Sequence, residues 1–103
     1  MKKIYLVATF RKYSAEYGTE GSRTVGWFPT RKDAVKCITE NWGDIYEDGY
    51  YPFAVIEDVQ PGLYQTCEST PIFFKWEGDV KTGGYKKTKK PKELGHFFGF
   101  TIG

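Results

Sequence analysis

The chain has 103 residues, 40% hydrophobic and 18% aromatic, which is enough for one domain around one core, too little for two, and unlike a disordered chain. Its net charge of +2 hides a segregation: residues 1–36 carry +5, residues 37–74 carry −7 and residues 75–103 carry +4. An acidic middle between basic ends predicts pairing within the fold or a surface with two faces of opposite sign, and no run approaches the roughly 20 apolar residues of a membrane helix.

Residues 3–11, KIYLVATFR, alternate Ile4, Leu6, Ala8 and Phe10 with Tyr5, Val7 and Thr9, the period of a strand. The glycine-bearing KYSAEYGTEGS that follows reads as a hairpin loop into a second strand, RTVGWF at 23–28. Pro29 ends that strand. Thr30 with Asp33 three residues on resembles a capping box, so a helix is predicted over 31–42, with Ala34, Val35, Ile38 and Trp42 on its apolar side and Asn41 to Gly43 as the stop. After the acidic link GDIYEDGYY, PFAVIEDV at 52–59 is a third strand by its β-branched and aromatic content. Gln60-Pro61-Gly62 turns the chain, Leu63 and Tyr64 begin a short strand, 71–77 (PIFFKWE) forms a clearer one, and 96–102 (HFFGFTI) forms the last. Between the final two, residues 78–92 read as a flexible basic loop. The expected architecture is therefore a single α+β domain over 1–103: a mostly antiparallel sheet of five or six strands in the order β-β-α-β-β-β, with one helix on one face.

Candidate chemistry is sparse. A nucleophilic site needs an activated Cys, Ser or Thr beside a base, and the single histidine, His96, lies in an aromatic run remote in sequence from Cys37 and Cys67. Three Cys and His residues in total are too few and too scattered for structural zinc, and the acids at 44–58 lack the ligand period of a calcium loop. Neither a metal nor a cofactor is implied. Glu57 follows Ala54-Val55-Ile56 within a strand, where it shares the face of Val55 and is partly buried if Val55 is; the alternatives are an edge position or an ion pair with Arg23, Lys75 or Arg11. Two surfaces remain as binding candidates. One is the acidic–aromatic region with Asp44, Glu47, Tyr50 and Tyr51, or a pocket lined by Trp27, Tyr64 and Trp76. The other is the lysine-rich stretch, in which Lys81, Lys86, Lys87, Lys89 and Lys90 surround Tyr85 as point charges around a stacking ring. The stretch has no arginine for bidentate contacts, which weakens a nucleic-acid reading.

The residues RTVGWF, Ala34, Asn41 with DI-x-E (here Asp44-Ile45-Tyr46-Glu47), YYPFAVIEDVQPGLY and FFKW, with Tyr85 and the closing Ile102-Gly103, are similar to a set found in small uncharacterised proteins of gut Firmicutes and their phages or mobile elements. The resemblance spans nearly the whole chain and implies an origin without an activity. Together these readings lead to the expectation of a cytoplasmic, non-enzymatic binding protein, monomeric or homodimeric. It would be an accessory that occupies a host protein or small ligand, such as a host-defence inhibitor or nucleotide sponge, with a single-stranded nucleic-acid module as the alternative.

Overall fold

The computed structural model describes residues 3–14, 18–59 and 71–89. Strand β1 (Ile4–Phe10) lies where the period-two pattern predicts it. The following stretch carries a two-stranded antiparallel ladder of β2 (Lys12–Ser14) and β3 (Gly18–Glu20), and β4 (Arg23–Phe28) then returns along β1. Helix α1 (Arg31–Thr39) starts at Thr30, whose extended backbone (φ −130°, ψ 149°) lets its Oγ1 accept the Asp33 N–H at 3.2 Å. It stops three residues earlier than the apolar spacing predicts. Asn41 takes a left-handed conformation (φ 51°), which ends the helix ahead of a short 3₁₀ turn at Trp42–Asp44.

Strands β5 (Phe53–Val59), β6 (Ile72–Glu77) and β7 (Gly84–Thr88) complete a five-stranded sheet, in the spatial order β4-β1-β5-β6-β7 with every described pair antiparallel. One helix with an antiparallel sheet is an α+β fold. Strand β7 lies inside the stretch expected to be a loop over 78–92: GYKKT pairs with β6 along its length, Tyr85 opposite Trp76 and Lys87 opposite Phe74. The strand expected at 96–102 and the short one at Leu63–Tyr64 lie outside the described residues.

Cross-strand register sorts the side chains onto two faces. Val7 stands opposite Ile56, and Ala54 opposite Phe74. Ala34, Cys37 and Ile38 of α1 close over this row, together with Tyr46 and Tyr85, in one core cluster. Ala8, Val55 and Phe73 form the other row, with Phe10 stacked on Phe53 at 5.2 Å between ring centroids. The inner strands β1 and β5 are thus buried on both faces over half their length, which is why Ala54, Val55 and Ile56 read as an unbroken apolar run. The charges segregated along the sequence meet in the fold. Lys3 pairs with Asp58 at 3.1 Å and Arg23 with Glu47, each joining the basic first segment to the acidic middle.

Candidate functional site

The most built part of the surface is where α1 meets the β6–β7 hairpin. Trp76 and Tyr85, opposite one another in that hairpin, stand edge to face at 5.1 Å and 86°. Tyr46 lies flat on the Trp76 indole, centroids 3.7 Å apart and planes 6° apart, and also meets Tyr85 edge on. Aromatic pairs in these geometries contribute roughly 0.5–1.5 kcal/mol each beyond the area they bury. The Tyr85 hydroxyl donates to the Tyr51 carbonyl at 2.6 Å in the interior. Burial, with the neighbouring Tyr46 and Asp44 adding to it against a lowering by Arg23, pushes that phenol well above its ordinary value, so the ring is a fixed neutral donor.

The turn of this hairpin is held by one carbonyl. Asp79 O accepts both the Trp76 indole N–H at 3.1 Å and the Gly83 N–H at 2.7 Å, while the Asp79 carboxylate accepts the Lys81 N–H at 2.8 Å. Only glycine fits at position 83, because a Cβ there would collide with the carbonyl oxygens of Glu77 and Asp79.

Between this turn and α1 runs a groove of about 800 Å³, within the range that small-molecule sites occupy. Val35, Ile72, Phe74 and Tyr85 make its apolar lining. Arg31 and Thr39 join Val35 along one stripe of the helix, at i, i+4 and i+8. Lys86 and Lys87 come from β7, and Glu77 and Thr82 from the turn end.

The structure separates most of the residues singled out in the sequence. Trp27 is 60% exposed on β4, opposite Leu6 and so on the Ala8 face, whereas Trp76 is on the Val7 face three strands away. With strands about 4.8 Å apart, that is roughly 14 Å across the sheet and through it. A pocket shared by Trp27 and Trp76 is therefore ruled out, and Tyr64 lies outside the described residues. Glu57 is buried (4% exposed) in an inner strand, not at a sheet edge, and faces the side of Val55, away from the groove.

The acidic–aromatic segment folds through a chain of tight turns in which Asn41, Asp44, Glu47 and Asp48 all take positive φ. Each turn closes by an i to i+3 backbone bond: Asp44 N to Asn41 O, Glu47 N to Asp44 O, and Tyr50 N to Glu47 O. Much of this segment is engaged internally. Tyr51 is buried beneath the Arg23 guanidinium, Glu47 pairs with the same arginine, and the half-exposed Tyr50 has Arg11 over its ring at 4.7 Å. Asp44 accepts from Asn41 Nδ2 and remains exposed.

Among the lysines, Lys81, Lys86, Lys87 and Lys89 are exposed, and Lys90 lies outside the described residues. Tyr85 is only 2% exposed. The expectation that it offers a stacking ring to a base is corrected, because that ring is part of the core and its hydroxyl is committed to Tyr51.

Arg31, Thr39, Ile72 and Phe74 were not singled out from the sequence. The 31/35/39 spacing is visible there, but nothing local says which sheet strands it will face. Among the described residues, no helix is long and apolar enough to cross a membrane. No family model, no curated protein and no solved structure matches the chain.

Proposed function

We propose that the protein is a non-catalytic binding protein that holds a small amphipathic ligand in the groove between α1 and the β6–β7 hairpin. In this reading the β-β-α-β-β-β order sets the helix on one face of the sheet and leaves a cleft between its Arg31–Val35–Thr39 stripe and the last two strands. The observation that carries the proposal is the groove itself: a concavity of about 800 Å³ whose lining is apolar at Val35, Ile72 and Phe74 and polar at a few rim positions, the composition of a small-molecule site. The hairpin wall is rigidly tied by Asp79 and by the Tyr46–Trp76 stack, so little ordering cost attends binding. The resemblance of residues 23–76 to small proteins of Firmicutes phages and mobile elements fits a cytoplasmic accessory that acts by sequestering its ligand.

The test is the fluorescence of the neutral dye N-phenyl-1-naphthylamine titrated with the protein. Thr39→Trp, an exposed helix position on the rim, fills the groove without entering the core. Wild-type binding that disappears in Thr39→Trp, with the circular dichroism spectrum unchanged, supports the reading. Equal binding by both proteins overturns it.

A further inference from the structure

The groove has a polarity along its length, and this points to the chemistry of its ligand. Lys87 stands opposite Phe74 in the β6–β7 register and so on the groove's face, whereas Glu77, opposite Gly84, has the parity of Phe73 and the other face. The two are three residue steps apart, about 10 Å along the hairpin. Glu77 and Lys86 border the groove, but their register puts them on the other face of the hairpin, which leaves Arg31 and Lys87 as the charges on the groove's own side. The Arg31 guanidinium rests over the Tyr5 ring, its carbon 5.6 Å from the ring centre. A cation held on an aromatic face keeps its N–H fork free for a planar anion. Among the described residues, Lys3 pairs with Asp58 and Arg23 with Glu47, and no carboxylate engages Arg31, Lys86 or Lys87.

From this we infer that the ligand of the groove is a free small organic anion. A carboxylate, sulfonate or phosphate group sits at the Arg31–Lys87 end, and an apolar body lies over Val35, Ile72 and Phe74. The inference rests on the groove reading above and adds the charge and orientation of what it holds. Arg31 supplies two parallel donors and Lys87 a mobile point charge at one end of the groove, and that placement sets the direction of the acid group. Both cations are exposed, so their attraction is screened by salt.

Two dyes that share one aromatic body separate the outcomes: anionic 1-anilinonaphthalene-8-sulfonate and neutral N-phenyl-1-naphthylamine. The wild-type protein is expected to bind the sulfonate about tenfold more tightly, the worth of one charge-assisted contact. That preference should shrink as salt rises from about 0.05 to about 0.5 M. Arg31→Gln with Lys87→Gln should abolish the preference, bringing the sulfonate's affinity down to that of the neutral dye measured in the same variant. Equal affinity for both dyes in the wild type overturns the anion inference and leaves the groove reading standing. Binding of neither dye overturns both. A preference that survives in the double variant also overturns the inference, because the anion is then held elsewhere. Sedimentation with phosphatidylglycerol vesicles that requires Arg31 and Lys87 would make the anion a bilayer headgroup and overturn the assignment of a free ligand.

Discussion

Replacing Tyr85 by phenylalanine removes one oxygen and leaves the ring stack in place. The lost bond is the 2.6 Å donation to the Tyr51 carbonyl in the interior. A net hydrogen bond is worth about 1 kcal/mol, and a buried carbonyl left without its donor costs about 1–3 kcal/mol. The expected loss at pH 7 is therefore about 2 kcal/mol, or roughly 8–16 °C in Tm for a domain of this size. The pH dependence adds a second signature. An unfolded tyrosine titrates near its ordinary value of 10.0, and burial holds the folded Tyr85 above it. Above pH 10 the unfolded chain thus binds fewer protons than the folded one, so stability falls as pH rises. Below that pH the contribution is fully present. Urea unfolding from pH 8 to 11 should show the wild type losing stability faster than Tyr85→Phe, by at most about 1.4 kcal/mol per pH unit. The gap between the two proteins then narrows with alkalinity. Parallel curves, or a variant as stable as wild type at pH 7, would refute the assignment of a buried, bonded phenol.

Gly83→Ala should destabilise by about 1–3 kcal/mol in urea unfolding, because its Cβ meets backbone oxygens that cannot turn aside; it should also weaken dye binding at the groove by displacing the turn. Thr9 is fully buried and its hydroxyl has no hydrogen-bond partner among the described residues, so Thr9→Val should raise stability by up to about 1 kcal/mol, read as an upward shift in the denaturation midpoint. Burial pushes the Cys37 thiol up, so in a Cys67→Ser background iodoacetamide at pH 8 should label Cys37 only after denaturant is added; rapid native labelling would contradict its place on the buried face of α1.

What the sequence disclosed, and what it withheld, follows from how local each signal is. Strand β1 shows as alternation, β5 as a β-branched run, and the start of α1 as Thr30 with Asp33, because period and capping are written within a few residues. Strand β7 was hidden for a physical reason. GYKKT has one inward anchor, Tyr85, and its three outer residues are exposed, the charged dress of a strand at the margin of a sheet, which reads as a solvated loop. The parity that puts Glu57 on the face of Val55 was legible, and Glu57 is buried there. By contrast, the opposite facing of Trp27 and Trp76 depends on strand order and on the register of β1 with β4, neither of which leaves a trace within either strand. The groove is less legible still. Its walls come from one helix stripe and two strands more than 30 residues further along the chain, and they meet only once the sheet has formed.

The placement of β1 between β4 and β5 has a consequence for synthesis. Its inner neighbour is β5, and Ile4 pairs with Val59 across more than half the chain. As the ribosome works through the intervening residues, β1 can hold β4 on one side while its other side, and the apolar side chains on both faces, wait for a partner not yet made. Such long-range closure is slow and leaves sticky surface exposed in the meantime. Expression yield should therefore respond to chaperone supply and growth temperature well before it responds to changes on the exposed lysines of β7.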